Sequence, residues 1–128
     1  MSKARPLSIA VALAVSLPFL VAAAPPRPEL RKACGAGAIF RTASLPRQAL
    51  AALGGRMADP NQPFQSSDAI PAGPRLPFHR LICAERTPDG YAVRFEYGGR
   101  AYGTRIVYLR RETDGRFVEE AGPAGQGR

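Results

Sequence analysis

Four arginines in the C-terminal half of the chain, Arg80, Arg86, Arg94 and Arg105, have the residue type and spacing to do chemistry. A guanidinium group offers a planar fork of donors that grips a carboxylate or phosphate through two parallel hydrogen bonds. Several such forks on one flat surface make an anion-binding site. The competing reading is a solvated polar face on which Glu96 pairs with Arg94 or Arg105, exposed pairs being worth little.

Other reactive groups are sparse. His79 is the one histidine, and Ser44, Ser66 and Ser67 have no second base to activate them. His79 and Cys83 are spaced to share a strand face, but two ligands do not hold zinc, and no CxxC or HxxxH pair supports them. Glu85, Glu96, Glu112, Glu119 and Glu120 stand beside arginines and read as surface ion pairs; Glu119 is expected opposite Arg110. The glycines at 35, 37, 54, 55, 98 and 99 match no phosphate-binding loop. No catalytic residue, metal site or cofactor is therefore assigned.

The cysteines bear on compartment. Lys3 and Arg5 precede an uncharged run from Leu7 to Ala24 that ends in Ala22, Ala23 and Ala24, the three-part pattern of a secretory signal peptide. Cleavage is placed after Ala23 or Ala24. Pro18 inside the run argues against a membrane-spanning helix, so membrane contact is expected only if the segment stays uncleaved. In an exported protein the two cysteines, Cys34 and Cys83, read as a disulfide. The expected location is periplasmic or extracellular.

Removal of 24 residues from 128 leaves 104, one small domain. Loss of Lys3 and Arg5 takes 18 Lys and Arg to 16 against 10 Asp and Glu, a net charge of +6. That surplus favours an anionic partner, an envelope component or an acidic protein. Beyond the leader only Lys32 is a lysine. A GC-rich coding sequence accounts for this, and so does selection for bidentate contacts.

Three stretches follow the leader (residues 1–24): an extended, proline-rich N-terminal segment over 25–43 anchored at Cys34, an α+β domain over 44–120, and a disordered tail over 121–128. Within the domain a short helix is expected from Ser44 to Gly55. Ser44 caps it, Leu45, Ala49, Leu50 and Leu53 share one face, and Gly54-Gly55 stops it. Residues 57–74 read as an ordered surface loop pinned by Phe64 and Ile70.

From Leu76 onward, alternating segments separated by Pro88-Asp89-Gly90, Gly98-Gly99 and Asp114-Gly115 predict an antiparallel β-meander of three to four strands. A two-residue turn at Gly98-Gly99 pairs Phe95 with Tyr102 and Tyr91 with Ile106. A three-residue turn at 88–90 pairs Cys83 with Phe95. On that register Leu81, Cys83, Tyr91, Val93, Phe95, Tyr97, Tyr102 and Ile106 form the core face under the helix. Arg80, Arg86, Arg94 and Arg105 then share the opposite face with Ile82, Ala84, Ala92, Glu96 and Gly103. Because the aromatics face inward, no base-stacking platform is offered, and nucleic acid is not expected as a partner.

The expected function is a small exported binding protein of the cell envelope that meets an anionic partner with its arginine face. The alternative is an inhibitor of a hydrolase using the 57–74 loop, or a small hydrolase using His79. Oligomeric state is left open.

Overall fold

Leu45 stands before Pro46, and that order decides where the helix starts. A residue preceding proline is driven out of helical geometry, and Leu45 is extended at φ −92°, ψ 145°. In the computed structural model, which describes residues 28–69, 73 and 75–122, the helix α1 therefore spans Arg47–Ala52 with Pro46 at its N-cap and no side-chain cap. Ser44 does not cap it; it ends a separate 3-10 turn, Thr42–Ser44, whose Thr42 N–H donates to Asp59 Oδ1 at 2.7 Å. The C-terminal stop is as expected. Gly54 and Gly55 take φ of 98° and 82°, their N–H groups donating to Ala51 and Leu50 carbonyls in a paired-glycine end motif.

One antiparallel sheet carries the rest: β1 (His79–Thr87), β2 (Gly90–Tyr97), β3 (Gly103–Arg111) and β4 (Phe117–Glu120), in that spatial order. The fold is α+β, a short helix on a four-stranded meander. Leu45, Ala49 and Leu53 pack with Leu81, Ala84, Val93, Phe95, Val107, Leu109 and Phe117.

The register differs from the expected one at both long hairpins. Between β2 and β3 the loop is five residues, with Tyr97 opposite Gly103, Phe95 opposite Arg105 and Tyr91 opposite Leu109. Gly98 is not the apex of a tight turn. Its N–H still donates to the Phe78 carbonyl, prolonging the pairing beyond β2. A Cβ on it would lie 1.9 Å from the Gln65 carbonyl oxygen, so only glycine lets the 64–66 backbone come so near. The three-residue shift is odd, and an odd shift turns a strand over. Val107 and Leu109 thus enter the core, where Tyr102 and Ile106 had been expected.

Between β1 and β2 the turn is Pro88-Asp89, closed by Thr87 opposite Gly90, and a bulge falls between Leu81 and Cys83. The bulge lets Leu81 and Ala84 both join the helix-side core. Cys83 pairs with Arg94 and so lies on the far side of the sheet, not on the core face expected for it.

The far side of β1 is covered by two straps. In the first, Pro28–Ala33 forms a 3-10 helix where an extended segment was expected, with Glu29 in its first turn and Arg31 and Lys32 in its last. The chain is then fastened by the Cys34–Cys83 disulfide, by Gly35 N–H donating to Glu85 Oε1, and by Ile39, which exchanges both backbone hydrogen bonds with Ala84. The second strap is the loop after α1. Ala58 bridges the same strand edge at Arg80, and Phe64 and Gln65 are buried. Phe64 pins the loop as expected; Ile70 lies outside the described residues. Together the straps close the β1 edge, which would otherwise invite pairing with another chain.

The expected signal peptide over 1–24 also lies outside the described residues, as does the expected tail beyond Gly122. Among the described residues no helix is long and apolar enough to cross a membrane.

Candidate anion-binding groove

The four arginines expected on one surface are divided by the register. Arg80 and Arg94 point to the far side, opposite Glu96 and Cys83. Arg86 and Arg105 point to the helix side, opposite Tyr91 and Phe95, near opposite ends of the sheet. Arg80 is not a surface group at all. It is 1% exposed, its Nε donates to Glu96 Oε2 at 2.6 Å, and its guanidinium lies 4.5 Å from the centre of the Phe64 ring. The other Glu96 oxygen accepts from Tyr102 Oη at 2.5 Å. Arg94 is half-buried, and Arg105 is exposed and held by Glu119 at 2.6 Å.

Arg110 and Arg116 are also engaged. Arg110 contacts Glu112 and Glu120, and Arg116 contacts Asp114. The pairing expected between Arg110 and Glu119 is displaced by one residue, because Leu109 and not Arg110 stands opposite Glu119. The contacts on both flanks hold the Arg110 guanidinium above its usual pKa, Glu112 contributing most.

Arg86 and Arg111 differ from these. Both are exposed, neither has a carboxylate or hydrogen-bond partner for its guanidinium among the described residues, and both line one groove of about 340 Å³. The pairing places them there. Arg86 is the cross-strand partner of Tyr91, and Arg111 that of Phe117. The two rings meet at 5.8 Å between centroids, tilted by 50°. An arginine therefore stands beside each member of an aromatic pair at the turn end of the sheet. Pro46 and Pro88 add apolar wall, and Asp89 contributes one carboxylate.

Arg111, Tyr91 and Phe117 were not among the expected site residues. A signal for them is present. Arg86-Thr87-Pro88-Asp89-Gly90-Tyr91 and Arg111-Glu112-Thr113-Asp114-Gly115-Arg116-Phe117 share one pattern, an arginine before an Asp-Gly turn and an aromatic after it. Residues that flank a hairpin turn are brought opposite one another, so each segment delivers one arginine–aromatic pair.

A second groove, about 350 Å³, lies at the other end of the helix side between His79, Phe95, Tyr97, Thr104 and Arg105. The His79 ring packs 4.9 Å from that of Phe95. Burial pushes its pKa below the ordinary 6.5, opposed by a hydrogen bond with the Leu53 backbone and reinforced weakly by Arg105. None of the groove-lining residues is a carboxylate that could orient the ring as a base. Among the described residues no three His, Cys, Asp or Glu gather to hold a metal ion.

The His79 shift predicts a pH effect on stability. The folded pKa lies below the unfolded one, so the unfolded chain takes up the proton more readily. Stability is then complete above pH 6.5 and declines as pH falls toward the folded pKa. Urea midpoints measured across this window should fall for the wild type and fall less for His79→Gln. Parallel profiles for the two would show that the burial of His79 does not govern the acid limb.

A smaller cavity, about 160 Å³, lies beneath the N-terminal strap between Pro28, Leu30, Ile82 and Glu96. The Glu96 carboxylate is already bonded at both oxygens, and Arg31, the cation on this lining, lies over the Phe40 ring and reaches Asn61. Of these three cavities, the groove between Arg86 and Arg111 joins two exposed guanidiniums that have no carboxylate partner among the described residues to an aromatic floor. No protein-family model, no characterised protein and no solved structure matches this chain.

Proposed function

We propose that this chain is an exported, non-enzymatic binding protein of the cell envelope, which holds an anionic partner through its basic surface with the Arg86–Arg111 groove as the point of contact. One observation carries the reading. Where Arg80, Arg105, Arg110 and Arg116 are spent on internal carboxylates, Arg86 and Arg111 have no such partner among the described residues and share a concave, aromatic-floored surface. The Cys34–Cys83 disulfide is compatible with an oxidising compartment. The excess of cations over carboxylates favours anionic partners in general.

The test is capture from envelope extract by the oxidised protein at low and high salt, beside the Arg86→Gln/Arg111→Gln variant. A partner held by the wild type at low salt, released at high salt and not retained by the variant supports the reading. Capture that is equal for the two proteins, or indifferent to salt, rejects it.

A further inference from the structure

We propose that the groove takes a single carboxylate attached to an apolar body, the carboxyl terminus of a peptide that ends in an aromatic or large aliphatic residue. This rests on the anion-binding reading above and narrows it to a ligand class.

Three features of the groove select that chemistry. The first is charge. Arg86 and Arg111 supply two positive charges and Asp89 one negative, all on the same lining. The remainder of one positive charge is balanced by one carboxylate, whereas a doubly charged phosphate would leave excess negative charge facing Asp89. The second is shape. Guanidinium forks match the two coplanar oxygens of a carboxylate, and two of them, from neighbouring hairpins, line this one groove. The third is the floor. Tyr91 and the largely buried Phe117 meet with tilted rings beside the arginines, with Pro46 and Pro88 at the margins. An apolar side chain next to the carboxylate would be buried there.

The size agrees. Small-ligand sites run from about 300 to 1,000 Å³, and this groove, at about 340 Å³, holds one terminal residue and not a long chain. The peptide upstream of that residue would leave through the open mouth. Asp89, with Gln48 and Thr87 on the same lining, offers a side-chain acceptor for the amide N–H that precedes a terminal carboxylate. Its own carbonyl is already engaged by the Arg111 N–H at 2.8 Å, which ties the two hairpins together at this point.

The experiment is a nuclear magnetic resonance titration of the oxidised protein with three probes: N-acetyl-phenylalanine, its amide, and phenyl phosphate. The expected result is binding of the acid with shifts at the Arg86 and Arg111 side-chain N–H signals and at Tyr91. The amide should bind about tenfold more weakly or worse, as should the acid to Arg86→Gln or Arg111→Gln, the range for loss of a charged hydrogen bond. Both substitutions remove exposed, unpaired groups, and unchanged thermal midpoints will show that the variants are folded. Equal binding of acid and amide overturns the proposal. Tighter binding of phenyl phosphate, abolished in the variants, overturns the carboxylate assignment while leaving the anion groove standing. Failure of all three probes, joined to envelope capture that the variants do not alter, overturns both.

Discussion

Glu96→Ala is expected to lower the stability of the folded chain by about 3–5 kcal/mol, the usual cost of removing one partner of a buried ion pair. The cost arises at Arg80. That side chain is as buried as any in the core, sits against the Phe64 ring and relies on Glu96 Oε2 for its short ion pair. Deleting the carboxylate leaves a guanidinium charge under the second strap without its counter-charge, and leaves the Tyr102 hydroxyl without the acceptor it uses. A small domain has about 5–15 kcal/mol in total, so the variant should sit near the edge of folding.

The same physics predicts that removing the pair as a unit costs far less. Attraction between two buried charges is largely cancelled by their desolvation, and apolar replacements of similar volume are often neutral or better. Arg80→Met/Glu96→Leu should therefore be more stable than Glu96→Ala. Urea unfolding of the oxidised proteins decides the matter. A loss below about 1 kcal/mol for Glu96→Ala would mean that Arg80 recovers water or another acceptor, and that the second strap is looser than its burial implies.

The Cys34→Ala/Cys83→Ala variant is expected to lose a comparable amount. The bond closes a loop between residues 49 apart, and a loop of that length is worth about 4 kcal/mol in the chain-entropy model. The structure adds where the loss will show. Cys83 is fully buried beneath the first strap, and the same strap carries the Gly35–Glu85 bond and the Ile39 bridge that closes the β1 edge. Amide exchange at Ile39 and Ala84 should accelerate beyond what the global loss explains, while Val93 and Val107 follow global unfolding. Exchange that rises uniformly would show that the strap is held by its backbone bonds and that the disulfide acts on the unfolded chain alone. The freed β1 edge should also make the variant more prone to associate, which light scattering would register.

Both predictions concern the far side of the sheet, and that side was the less legible part of the sequence. Turn residues and periodicity are local, so they were readable. Asp-Gly pairs mark the ends of strands, the Gly54-Gly55 stop follows from a backbone only glycine adopts easily, and Leu45, Ala49 and Leu53 share a helical face by spacing alone. A lone pair of cysteines leaves no choice of connectivity. These features determined the elements, their order, the apolar face of the helix and the disulfide.

Register is not local. The glycine pair at 98–99 reads as a two-residue turn, but Gly98 is claimed by Phe78 and by the backbone at Gln65, a contact with a loop whose path no turn rule describes. Side chains alternate with a period of two, so an error of three residues inverts a strand. That inversion took Arg105 to the helix side, and the bulge between Leu81 and Cys83 took Arg86 there too, away from Arg80 and Arg94. Burial of Arg80 depended in turn on the loop that brings Phe64 over it, and a charged residue followed by apolar ones looks the same in sequence whether water or a ring covers it. What the sequence by itself determined is therefore everything governed by neighbours along the chain. Which side chains face one another across the sheet, and so which arginines remain free for a ligand, was decided only by tertiary contacts between distant segments.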